Sequence, residues 1–201
     1  MQIIRSDGSS TVGSSSPVVD MTTGRVVLAY NRNGVDAYVM HSDNNGLTWS
    51  APTNITASVK QANWGGIGFG PGHAIQLQRG LHAGRLIIAG KYIRNDVNLN
   101  PLGRNAYISY SDDCGQTWQI GGLLINTNGD INPNESTAVE LIDGSIYVNS
   151  RNQGGAYRRR LTGYSRDGGL TFDSAAQVEQ QLVDPTVAAS VARFSSIDRG
   201  D

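Results

Sequence analysis

The chain has 201 residues, enough for one domain with its own core, and its 16 basic and 17 acidic side chains leave a formal net charge of −1 at neutral pH. That balance offers no field to draw in a polyanion, so nucleic acid is not an expected partner. A single cysteine, Cys114, excludes an internal disulfide framework and a cysteine-held metal cluster, and no apolar run approaches membrane-spanning length.

The N-terminal stretch "MQIIRSDGSSTVGSSS" lacks the apolar centre of a secretion signal, and Met1 is not expected to be a true start. "PVVDMTTGRVVLAYN", residues 17–31, reads as two strands about a turn that contains glycine. "DAYVMH", residues 36–41, alternates apolar and polar residues as a half-buried strand does, and runs into "SDNNGLTW", residues 42–49. Trp64 follows in a glycine-rich loop, and "GHAIQLQRGLHAGRLIIAGKYI", residues 72–93, reads as another strand pair.

The eight-residue stretch then returns twice, each time after a short strand-like run. "NAYISY" precedes "SDDCGQTW" at residues 111–118, and "RLTGY" precedes "SRDGGLTF" at residues 165–172. All three copies keep Ser, an Asp or Asn two places on, Gly, Thr and an aromatic residue. Asx side chains accept hydrogen bonds from their own downstream backbone, and glycine supplies positive φ, so each copy predicts a hairpin turn closed by an aromatic plug. Asn44 stands where the other copies have Asp113 and Asp167, which suits a structural acceptor better than a reacting carboxylate. Each loop also offers too few oxygens at a coordinating spacing for calcium.

Between the second and third copies, "STAVELIDGSIYVNSRN", residues 136–152, is a further strand pair about an Asp-Gly turn. Residues 158–160 are consecutive arginines, expected at a solvated strand end. Residues 175–183 are a weak helix candidate, and "VAASVARF", residues 187–194, reads as the innermost strand of a further unit. About four strands per repeat is the composition of a propeller blade, so the chain is expected to be all-β, about three blades and part of a fourth. Residues 1–201 are then one partial propeller domain, an internal piece with poor stability alone, because a propeller protects its edges by closing into a ring.

The triple motif resembles the Asp-box, or bacterial neuraminidase repeat. "GFGPGHAIQL", "GRLIIAGKY" and "NESTAVELIDGSIYVNSRN" occur in the order and spacing of the exo-α-sialidases, over nearly the whole chain. The resemblance implies a six-bladed propeller that removes terminal sialic acid with retention, without a metal or organic cofactor. Its chemistry runs through a tyrosine nucleophile activated by a glutamate, an aspartate acid/base and three arginines that grip the substrate carboxylate; sialidases are the tyrosine exception among glycosidases. By motif match Glu135 is similar to that glutamate and Arg151 to the second arginine. Tyr92 is similar to a tyrosine that lines the sialic acid pocket, with an ordinary amphipathic surface tyrosine as the competing reading, and Trp64 is a candidate to stack on the sugar, with a plug in the core as the competing reading. A sialylated glycan is the implied partner. The first arginine and the aspartate have no counterpart before Ser14, the third arginine and the tyrosine would lie beyond Asp201, and Arg193 falls too early to be that arginine. Ser14, Ser15 and Ser16 before Pro17 stand where relatives carry asparagine and proline. The 201 residues alone are therefore expected to show no turnover.

From the residues themselves, folding residues 136–152 about Asp143–Gly144 returns Arg151 towards Glu135. A strict two-residue loop puts the two side chains on opposite faces, and one extra loop residue puts them directly opposite each other. Both registers fit the sequence. His73 is expected to be structural, His41 and His82 have no evident partners, and Gly68, Gly70 and Gly72 lack the strand–turn–helix setting of a dinucleotide site. A sialic acid binding module that has lost its chemistry, or another Asp-box propeller, remains the alternative.

Overall fold

The computed structural model describes residues 2–95, 103–127, 129–154 and 156–194. The first sheet holds β1 (Val12–Val19), β2 (Val26–Arg32), β3 (Asp36–Ser42) and the two-residue β4 (Thr53–Asn54), followed by a single helical turn, α1 (Thr56–Val59). The second holds β5 (Trp64–Phe69), β6 (Ile75–Gln76), β7 (Leu86–Arg94), β8 (Arg104–Ser111) and β9 (Gln119–Leu124). The third holds β10 (Pro133–Glu140), β11 (Ile146–Asn152), β12 (Arg159–Ser165) and β13 (Gln177–Val183). Every pairing is antiparallel, and strand order across each sheet follows chain order except that β6 pairs with β7 on the edge that β5 also occupies. These are three consecutive blades, the outer two of four strands and the middle one of five because the short β6 also pairs with β7, with β1, β5 and β10 as their innermost strands. No helix among the described residues is long and apolar enough to cross a membrane.

The middle blade is buried on both faces, so its sequence loses the apolar/polar alternation of the outer two. Along β7, Leu86, Ile88 and Tyr92 join the core shared with the first blade, while Ile87 and Ala89 join the core shared with the third. β8 divides the same way, Tyr107 to one side and Ala106 and Ile108 to the other. Each of the leucine and isoleucine side chains, fully removed from water, contributes about 1.5–3 kcal/mol, so the two inter-blade cores dominate the stability of the stack.

All three repeats form the same turn, between the last two strands of their blade. The amides of Thr48, Thr117 and Thr171 donate to the side-chain oxygens of Asn44, Asp113 and Asp167 at 2.9, 2.8 and 3.0 Å. The amides of Gly46, Gly115 and Gly169 donate to the hydroxyls of Ser42, Ser111 and Ser165 at 2.8, 3.0 and 3.0 Å, with the glycines at φ of 83, 83 and 88°. The aromatic plug is fully buried only in the second copy. Trp118 packs into the first inter-blade core, whereas Trp49 and Phe172 are half-buried.

Four expectations are corrected. Residues 177–183 form strand β13, not a helix: Gln, Glu and Leu favour a helix, but intrinsic propensity is small per residue and pairing with β12 overrides it. Residues 187–194 join no ladder among the described residues. Trp64 opens strand β5, where a loop was expected; the glycines of "WGGIGF" hide the strand pattern, and Gly70, Pro71 and Gly72 separate β5 from β6 along the same edge of β7. Of the three arginines, Arg158 is exposed but Arg160 is buried. Arg160 donates to Asp184 at 3.1 Å, to Asn149 at 2.7 Å and to the Val187 carbonyl at 2.9 Å, and burial lowers its basicity.

Candidate functional site

The hairpin of β10 and β11 settles the register that the sequence left open. Its turn spans one residue more than a two-residue loop: the Leu141 amide donates to the Ser145 carbonyl at 2.8 Å, and the Gly144 amide to the Leu141 carbonyl at 3.0 Å. Gly144 takes φ of 82°, and Asp143 accepts from both the amide and the hydroxyl of Ser145. This is a type I turn followed by a left-handed residue. Ser136 therefore faces Ser150, and the next positions along the hairpin are Glu135 and Arg151.

A bulge between Pro133 and Ser136 ends the regular ladder there and turns the Glu135 side chain outward. A buried polar cluster holds it. The Ser136 and Ser150 hydroxyls are 2.8 Å apart, both donate to the Asn134 carbonyl, and the Asn134 side chain accepts from the Glu135 amide at 2.9 Å. The Ser136 amide reaches across to the Gly70 carbonyl at 3.0 Å and ties the bulge to the middle blade.

Glu135 Oε2 accepts from Arg151 Nη1 at 2.6 Å, and Lys91 Nζ stands 3.6 Å from Oε1. The three side chains remain 20%, 23% and 25% exposed respectively, so the group is open enough for a ligand to reach. One carboxylate between two cations leaves a local charge of +1. A planar guanidinium at the mouth is suited to bidentate capture of a carboxylate, and a carboxylate beside it can accept a proton from an incoming hydroxyl.

Trp64 and Tyr92 do not belong to this group. Their rings stack in parallel with centroids 4.0 Å apart, and they are 1% and 2% exposed inside the core between the first and second blades. The expectation that they wall a sugar pocket is corrected. On β7 successive side chains alternate, so the strand that sends Tyr92 towards the first blade sends Lys91 towards Glu135. Lys91 was missed because "LIIAG" is apolar on both faces and hides the phase of the strand; only the position of Tyr92 in the core reveals it.

The remaining candidates lie elsewhere. Arg193 donates to the Glu140 carbonyl at 3.3 Å, at the opposite end of β10 from Glu135. His73 Nδ1 is 3.4 Å from the Ser190 hydroxyl, and His41 stands 3.7 Å from Asp43. His82 packs against Gly168 at the third repeat.

Residues 5–198 match the family described as a BNR repeat-like domain. The chain belongs to that family. Among its BNR repeat-like relatives it is 35% identical over 163 residues to a sialidase of Micromonospora viridifaciens, a match that takes in 80% of this chain and 23% of that protein. It is 30% identical over 187 residues to a sialidase of Bacteroides fragilis (strain YCH46), covering 92% of this chain and 29% of the relative. The fold is shared with the Hadza microbial sialidase Hz136, at a TM-score of 0.67 and 24% identity over 87% of this chain and 34% of that one. The BNR repeat-like chain thus spans roughly a quarter to a third of the proteins it matches.

Proposed function

We propose that these blades are the middle of a six-bladed exo-α-sialidase that hydrolyses terminal sialic acids from glycoproteins, glycolipids or oligosaccharides. The observation that supports it is the 2.6 Å pair of Glu135 and Arg151 at the open end of the innermost hairpin, in a chain whose matched relatives are sialidases. In this reading Arg151, with one nitrogen on Glu135, turns its remaining donors to the sugar carboxylate. Glu135 draws the proton from a tyrosine hydroxyl as that oxygen attacks the anomeric carbon. A neutral aryl oxygen avoids the repulsion that an anionic carboxylate nucleophile would feel from the substrate's own carboxylate. Water then releases the glycosyl group from the tyrosine, giving net retention. In this reading the tyrosine, the aspartate acid/base and the other two arginines are supplied by the rest of the propeller. Glu135 and Arg151 are the part of the machinery held here.

The test is hydrolysis of a fluorogenic sialoside by the whole propeller protein and by the 201 residues alone, with the first-formed anomer read by proton NMR. Turnover by the whole protein, release of the α-anomer and no turnover by the 201 residues are expected. Binding of sialic acid without turnover by the whole protein would replace the enzyme with a binding module. An inverted product would overturn the tyrosyl route.

A further inference from the structure

The Glu135–Arg151 pair is electrically neutral, so by itself it exerts little net pull on an anion. Lys91 changes that balance. Its ammonium is 3.6 Å from Glu135 Oε1, beyond ordinary hydrogen-bond reach, so the attraction is electrostatic and its three donors are not consumed by the carboxylate. It arrives from a different blade, β7 against β10, and stays only 25% exposed.

Its seat is built into the backbone. Gly68 on β5 is the direct cross-strand partner of Lys91, and a Cβ there would stand 2.9 Å from Lys91 Cε and 3.3 Å from Cγ. A Cβ at those distances would push the lysine stem aside, so the bare glycine is what lets the stem lie across β5 in its present place. The Ser14 hydroxyl flanks the same bare face, on a bulge of β1 where Ser14 is held at φ of 51°, a conformation uncommon for serine. The lysine stem therefore lies between β5 and the hydroxyl-bearing bulge of β1, and its ammonium reaches β10 of the third blade.

We propose that Lys91 is a specificity-determining residue: it gives the mouth its net positive charge and favours sugars that carry a carboxylate. This rests on the sialoside reading above and adds to it a binding group that the sequence match did not supply. Lys91 acts before any bond is broken, on capture and retention of the anion.

The experiment measures binding of N-acetylneuraminic acid to the whole protein by titration calorimetry, for wild type, Lys91→Met, Lys91→Arg and Gly68→Ala. At low salt Lys91→Met is expected to weaken binding roughly tenfold, and the difference should shrink near 1 M salt, where screening shortens to ~3 Å. Lys91→Arg should recover most of the affinity. Gly68→Ala, which keeps the charge but blocks its seat, should lose affinity in the same direction. Unchanged binding by Lys91→Met overturns the proposal, as does a loss that salt does not alter and arginine does not rescue, because that pattern is packing. Wild type that binds the acid but hydrolyses no sialoside sinks the enzyme reading and leaves Lys91 standing; wild type that binds no acid overturns both.

Discussion

The two ends of the blades follow opposite rules. At one end lie the three repeats, beside the β1–β2 and β10–β11 turns: Ser42 and Ser165, which begin two of them, pair with Val26 and Ile146 at the starts of β2 and β11. At the other end lie Glu135, Arg151 and Lys91. The repeat end makes the same bonds three times, and its acids are fully engaged. Burial opposes ionisation of Asp113 and Asp167, but hydrogen bonds from the following threonine hydroxyl and amide outweigh it and hold both carboxyls below the usual range. At the open end a single glutamate sits on a bulge between two cations, and among the described residues no other blade copies it. Repetition marks what folds the blade; departure from the repeat marks where chemistry can occur.

One buried charge pair challenges that division and makes the largest stability prediction. Arg160 and Asp184 lie near the open end yet look structural, because Asp184 also accepts from the amides of Thr186 and Val187 and so anchors the chain leaving β13. Asp184→Ala should cost about 3–5 kcal/mol, since it strands a buried guanidinium. A melting-temperature drop with unchanged turnover per folded molecule is expected. Loss of turnover without loss of stability would show that charges at this end cannot be sorted by burial.

The repeat end should carry a pH signature. Asp20, in the β1–β2 turn, is opposed by burial but is bonded by the Thr23 hydroxyl, Cys114, the Thr22 amide and Gln76, which together hold its carboxyl at about 2. A depressed carboxyl stabilises the fold above its unfolded pKa and loses that contribution as pH falls through the folded value. About 2 kcal/mol should therefore disappear between roughly pH 4 and pH 2. Asp20→Asn should flatten that part of the melting-temperature profile; an unchanged slope would contradict the assignment.

The smallest expected effect lies inside one repeat. Ser111→Ala removes the acceptor of the Gly115 amide and a donor to Asp113, and should cost about 1–2 kcal/mol. Chemical denaturation checks the size, and sialoside turnover should not move.

Much of this was legible in the sequence because the repeat is a local device: Ser, Asx, Gly, Thr and an aromatic residue specify their own turn with bonds that span at most four residues. Three things were less legible. The register of Glu135 and Arg151 depended on one loop residue, which Asp143–Gly144 does not fix. β5 is made by pairing with β7 beyond an intervening strand, against its glycine content, and β13 by pairing with β12, against its helix-favouring residues. Tyr92 was read as a pocket residue and Lys91 was passed over because β7 is apolar on both faces, and in such a strand the pattern no longer says which way a side chain points.

The most direct test compares Glu135→Gln with Asp113→Asn in the whole protein, by steady-state hydrolysis of a fluorogenic sialoside at a temperature where both are folded. Glu135→Gln should lose about 10²–10⁴-fold in kcat, the usual scale of a general base, with little change in melting temperature. Asp113→Asn should melt lower and turn over normally, as Asn44 already serves in the first repeat. Normal turnover by Glu135→Gln, or an equal loss in both, would contradict the division between a folding end and a chemical end.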